Sequence, residues 1–267
     1  MKGFGIDNND NVWVHNAVNH KLFKFDSFLN LLQTWDGHDI DFTQEGNTLG
    51  FNDDKSLVYW YKGNNECLVI DAASNQTADT IDYFIDDVPV VKGIFAVKDT
   101  TLVAIVTCNH SGEDAKLQIF DIKKHKLLQK TSYSKITDNV AFRIQNVSMI
   151  ANKARMLLVG LSTGDSPKSV VSVVSLPDMK LIDQLVTEST LPLFSAAAFS
   201  SDLLALAGPS SIHLGEFDPK SQQLKLVCRD VCALTGNFHT LVVSRDLNKF
   251  ISTSNRGRLV CVSVKQA

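Results

Sequence analysis

His239-Thr-Leu-Val-Val-Ser-Arg-Asp246-Leu-Asn248-Lys-Phe250-Ile-Ser252-Thr-Ser254-Asn255-Arg-Gly257-Arg-Leu259-Val-Cys-Val-Ser-Val264 reads as three short strands. Leu241 to Val243 is apolar and β-branched. Asp246-Leu-Asn248 supplies a turn. Phe250 to Ser254 forms a second strand, Asn255-Arg-Gly257 a second turn, and Leu259 to Val264 a third strand that alternates apolar and polar residues. Strand runs bounded by Asp, Asn and Gly are the local signature of hairpins, because these residues tolerate the backbone angles that tight turns need.

The third strand passes through Val262-Ser263, and comparable apolar-then-polar pairs recur along the chain. They are Phe25-Asp26, Ile70-Asp71, Phe120-Asp121, Val174-Ser175 and Phe217-Asp218, each followed by a turn and another strand-like run. The polar members are spaced 45, 50, 54, 43 and 45 residues apart. A drifting period in the forties is the mark of a four-stranded propeller blade.

The pattern resembles a diverged WD-repeat β-propeller. That family ends the third strand of each blade in Trp-Asp; here Phe or an aliphatic residue replaces Trp, and Asp stands in four of the six repeats. The family's Gly-His appears as Phe238-His239, its Asp-Gly turn as Asn255-Arg-Gly257 and its Ser-x-Ser as Ser252-Thr-Ser254. The resemblance implies an all-β propeller of six or seven four-stranded blades, with blades near 1–35, 36–84, 88–133, 139–187, 191–229 and 238–267 forming one domain. Without the tryptophans, the family's His-Asp-Ser-Trp bracing is not expected, and packed aliphatic faces must hold the blades. Only three strands fit in the last blade. Its open edge requires a further strand at the N-terminus, a strand donated by a partner, or more chain than is present, since an unpaired sheet edge is an aggregation template.

Composition narrows the function. The 267 residues are 44% hydrophobic, the formal net charge is −3 and the pI about 6.1. That balance lacks the basic footprint of a protein whose main work is gripping phosphate backbone, so nucleic acid is expected as an indirect partner at most. Five cysteines at irregular spacing suggest a reducing compartment without a disulfide framework. No apolar run is long enough to span a bilayer, and the N-terminus lacks a signal pattern. An intracellular protein, of cytoplasm or nucleus, is expected.

Motifs with chemical potential are few. Gly160-Leu-Ser162-Thr-Gly164 matches G-x-S-x-G, but a nucleophile elbow needs a following helix and this stretch runs into Val170 to Val174, another strand. Cys228 and Cys232 have a spacing zinc tolerates but lack a second pair, and Cys228 alternates with Leu224 and Leu226 as if in the core. Asp7 to Asn11 opens like a calcium loop, yet the sixth and twelfth places are Val12 and Val18, so it reads as a turn. No catalytic residue, metal or cofactor is expected. The aromatic strand Tyr59-Trp60-Tyr61 is expected to pack between blades.

Two surfaces are candidates for binding. Trp35, Asp36, His38, Asp39, Tyr83, Phe84, Asp86 and Asp87 fall in connections between blades and would form an acidic-aromatic patch for a protein partner, with basic partners favoured. Lys123, Lys124 and Lys126, on the turn after Phe120-Asp121, could contact phosphate. The expected function is a non-catalytic interaction scaffold within a larger complex. Alternatives are a regulatory propeller acting on a small GTPase in the manner of an exchange factor, or a propeller hydrolase.

Overall fold

The computed structural model describes residues 3–16, 18–37, 48–52, 54–63, 66–82, 90–109, 111–137, 142–150, 155–163, 165–188, 191–198, 203–209, 211–218 and 220–233, and the strands within 238–243, 249–254 and 259–263. Contacts divide the chain into two compact units, Met1–Tyr133 and Ser134–Ala267.

Among the described residues the first unit holds three antiparallel sheets, each paired in chain order. The first contains β1 (Gly3–Ile6), β2 (Val12–Asn16), β3 (Lys21–Phe25) and β4 (Leu31–Asp36). In the second are β5 (Leu49–Phe51), β6 (Leu57–Gly63), β7 (Glu66–Asp71) and β8 (Thr77–Ile81). The third has β9 (Val90–Ala96), β10 (Leu102–Cys108), β11 (Lys116–Asp121) and β12 (Lys126–Ser132), with one short helix, α1 (Tyr133–Ile136), beginning at the end of the unit.

Two four-stranded sheets and one three-stranded sheet make up the second unit among the described residues. They are β13 (Phe142–Ile150), β14 (Arg155–Ser162), β15 (Ser169–Ser175) and β16 (Leu181–Val186); β17 (Ser195–Ala198), β18 (Leu203–Ala207), β19 (Ser211–Asp218) and β20 (Gln223–Ala233); and β21 (Phe238–Val243), β22 (Lys249–Ser254) and β23 (Leu259–Ser263).

Inner strands such as β6, β10, β14, β15 and β18 bury successive residues and so present apolar side chains on both faces. β6 is the clearest case. Trp60 joins Trp13, Leu22 and Leu49 in a core between the first and second sheets, while Tyr59 and Tyr61 join Ile94, Ile105 and Phe120 between the second and third. One aromatic strand thus serves two cores, as its sequence suggests. In the second unit, Leu157, Val159, Val171 and Val173 meet Leu193, Leu204, Leu206 and Phe217 in a largely aliphatic core.

Glycine is required at two close backbone approaches. A Cβ on Gly50 would lie 1.9 Å from the carbonyl oxygen of Ile94 on the neighbouring sheet. Gly160 sits opposite the β13 bulge between Ile144 and Asn146, where a Cβ would lie 2.4 Å from the Arg143 carbonyl oxygen.

The repeated aspartate has a local task. Asp26 accepts hydrogen bonds from the backbone N–H of Phe28 and of Asn30. Asp71 accepts from the N–H of Ala73 and Ser74 and from the Ser74 hydroxyl. Asp121 accepts from the Lys124 N–H and the Thr101 hydroxyl, and Asp218 from the Lys220 N–H and Ser221 hydroxyl. Each therefore caps the turn between the third and fourth strands of its sheet. A residue with positive φ follows every cap: Leu29, Asn75, His125 and Gln222, with Met179 in the corresponding turn after Ser175.

These bonds hold all four carboxyls below the ordinary value near 3.8. The leading causes are the Asn30 side chain for Asp26, the Ser74 N–H for Asp71, the Lys124 side chain for Asp121 and the Ser221 hydroxyl for Asp218. A depressed folded-state pKa stabilises the fold above the unfolded value, and that contribution is lost as pH falls through the folded one. The melting temperature is therefore expected to drop on acidification from about pH 5 to about pH 2.5. Asp71→Asn keeps an oxygen acceptor without the charge, so its melting temperature should fall less over the same interval. An equal slope for both proteins would show that the cap does not titrate as described.

Candidate functional site

In a four-stranded meander, the turn joining strands one and two and the turn joining strands three and four lie at the same end of the sheet. At that end of the second and third sheets the turns enclose a groove of about 600 Å³. Asn52 and Asp54 come from the first turn of the second sheet. Val97, Asp99, Thr100 and Thr101 come from the first turn of the third sheet, and Ile122 and Lys123 from its last turn; Leu57, Tyr59 and Ala96 complete the lining.

Hydrogen bonds fix these walls. Asn52 Oδ1 accepts from the Leu57 N–H, and its amide donates to the Ser56 hydroxyl. Asp54 Oδ1 accepts from the N–H and hydroxyl of Ser56, which hold its carboxyl below the usual range. Thr101 donates to Asp121, and Thr100 to the Val97 carbonyl. Sequence inspection missed this groove because its residues are scattered over three turns. The signal that could have found it is the period itself, which places those turns at one end.

Of the acidic-aromatic residues, the structure describes Trp35 and Asp36; His38, Asp39, Tyr83, Phe84, Asp86 and Asp87 lie outside the described residues. Trp35 is half-buried and stacks on Trp13, with centroids 5.0 Å apart and planes at 22°. Asp36 is not in a connection, as the sequence suggested. It is the last residue of β4, paired in register with Lys21 and bridged to it at 2.8 Å. That cross-strand pair and the bond from the Gly37 N–H to the His20 carbonyl extend the sheet past the expected boundary.

The basic cluster is dispersed by its surroundings. Lys124 Nζ lies 3.1 Å from Asp121 Oδ2, and His125 Nδ1 lies 3.8 Å from Asp79. Lys123 lines the groove beside two carboxylates, while Lys126 opens β12 opposite Asp121.

Other motifs resolve into structure. Ser162 closes the turn between β14 and β15, its hydroxyl accepting from the Lys168 N–H at 3.0 Å; a strand follows it and no helix. Asp7 receives the Asn9 and Asn11 N–H groups, as a turn residue does. Cys228 is exposed rather than in the core. Leu224 pairs with Phe217 and Leu226 with Gly215, but Cys228 pairs with Leu214 across a bulge at Val227, which turns it to the opposite face from Leu224. Among the described residues no group of three or more His, Cys, Asp or Glu could hold a metal ion.

A second surface feature is apolar. Phe28 and Leu29, on the Asp26 turn, are 85% and 68% exposed, and Leu31 and Leu32, beginning β4, are 56% and 48% exposed. Among the described residues no helix is long and apolar enough to cross a membrane.

Repeated four-stranded meanders packed face to face, with a last sheet of three described strands, define a β-propeller. Similar solved structures include the WD40 repeats of RRP9, at 12% identity and TM-score 0.61 over 95% of this chain and 86% of that one. The β-propeller domain of Cps50 (Swd1) from Myceliophteria thermophila matches at 9% identity and TM-score 0.68, over 98% and 82%. Hydrazine synthase from Kuenenia stuttgartiensis matches at 9% identity and TM-score 0.71, over 98% and 76%. No family profile and no curated protein sequence matches this chain. At these identities the likeness establishes the fold.

Proposed function

We propose that the protein is a non-catalytic interaction scaffold: one propeller spanning residues 1–267 and serving as a subunit of a larger intracellular complex, in cytoplasm or nucleus. A hydrazine synthase shares the fold, so fold alone does not set the activity, and the reading rests on surface. The observation that carries it is the exposed run Phe28, Leu29, Leu31 and Leu32. Four large apolar side chains exposed within five residues suit a binding surface. Leu29 sharpens the point. It sits at φ 66°, a conformation costly for a side chain without a local hydrogen-bonding group, yet the side chain points largely into solvent. In this reading the outer edge of β23 takes a fourth strand from a partner's extended segment.

The test is affinity purification of tagged protein from its native source, compared with Phe28→Ser and Leu29→Asn. Partners are expected with the parent and not with Phe28→Ser. Asn adopts the left-handed region readily, so Leu29→Asn should raise stability by about 0.5–1 kcal/mol while weakening capture. An unchanged set of partners across all three proteins would refute the role of this surface.

A further inference from the structure

We propose that the groove between the second and third sheets binds an extended protein segment through an arginine or lysine flanked by aliphatic side chains. Charge complementarity argues for the cation. Asp99 is exposed and has no bonding partner among the described residues, and Asp54, fixed by Ser56, lines the same groove. Two carboxylates thus border a cavity whose apolar walls, Leu57, Ala96 and Ile122, suit an aliphatic stem. Lys123 stands on the same rim. It disfavours a second cation there and sets the sign of a control.

The same geometry weighs against phosphate as the occupant. An anion near Lys123 would meet Asp54 and Asp99 across the groove. The wall turns are held by their own hydrogen bonds, so binding orders little new chain. The site lies apart from Phe28 to Leu32, at the turn end of two other sheets, and its failure would leave the scaffold reading intact.

The test selects a random heptapeptide display library on the immobilised full chain, with the best peptide measured by fluorescence anisotropy. Sequences bearing Arg or Lys between aliphatic residues are expected to be enriched. Asp99→Lys should weaken the selected peptide about tenfold or more, and Lys123→Glu should strengthen it a few-fold, with both effects shrinking at high salt. Asp99 occupies the left-handed region at φ 55°, and Asn is accommodated there, so Asp99→Asn removes the charge while preserving the turn. It should show part of the loss with an unchanged melting temperature. The Phe28→Ser variant should bind the peptide like the parent. A selection without basic enrichment, no selected binder, or equal binding by parent and Asp99→Lys would overturn the proposal.

Discussion

Trp60→Ala is expected to lower unfolding stability by about 3–5 kcal/mol. Trp60 is fully buried on β6, opposite Leu49 and Leu68 in register. It packs with Trp13, Leu22, Val58 and Ile70, so truncation opens a void between the first and second sheets. The surrounding strands are held by their own ladders and cannot collapse fully into that void, which places the cost high in the range. Phe at this position should cost much less, about 1–2 kcal/mol. It keeps most of the ring volume, and it removes an indole N–H that is buried without a hydrogen-bond acceptor. Urea unfolding followed by circular dichroism measures both. A Trp60→Ala loss below about 1 kcal/mol would mean that this core does not join the two sheets as described.

The physical split between what the sequence reveals and what it hides follows from range. Strand alternation and turn residues are local, so Tyr59-Trp60-Tyr61 is legible as a strand with two buried faces, and the recurring Asp26, Asp71, Asp121 and Asp218 mark the ends of third strands. The aspartates' task is less legible. The WD resemblance marks only their place at the ends of third strands, whereas the structure shows them capping the turns that follow. The positive-φ residue after each cap is Leu29, Asn75, His125 or Gln222, four residue types with no shared composition to betray it.

Register is harder still. A single extra residue at Val227 reverses which face Cys228 occupies, and nothing in Leu224 to Cys228 announces a bulge. The candidate groove needs three turns at once, from Asn52 to Lys123. Its chemistry becomes visible only when the period is converted into sheet ends. Trp35 shows the same limit: its place beside a loop is legible, but its stacking on Trp13 within the first sheet is not.

Asp7→Ala should be about as damaging as the loss of Trp60, with an expected cost of about 3–5 kcal/mol. The side chain is fully buried, with Oδ2 3.9 Å from Lys24 Nζ. Oδ1 accepts the Asn9 and Asn11 N–H groups, and Oδ2 accepts the Trp13 indole N–H at 2.8 Å. The Asn11 side-chain amide also donates to both oxygens, so removing the carboxylate strands four donors and leaves the Lys24 ammonium buried without its nearest counter-charge.

Lys24 itself donates to the Ala72 carbonyl at 2.6 Å and to Asn75 Oδ1 at 2.8 Å, linking the first sheet to the second. Burial pushes its pKa down more than Asp7 and Asp71 pull it up, so an uncompensated ammonium here is costly. Asp7→Asn should be intermediate, because the amide oxygen still caps the turn while the amide N–H groups face the Trp13 and Lys24 donors.

The decisive measurement is a double-mutant cycle with Lys24→Met. Methionine keeps an aliphatic stem of similar length and removes the charge that Asp7 offsets, an ammonium 5.2 Å from the centroid of the Trp13 ring. Lys24→Met should cost less than Asp7→Ala, and the pair should cost less than the two singles added together, with a coupling of about 1–3 kcal/mol. Additive losses would show that Asp7 serves its own turn alone and that the buried ion pair contributes nothing to joining the sheets.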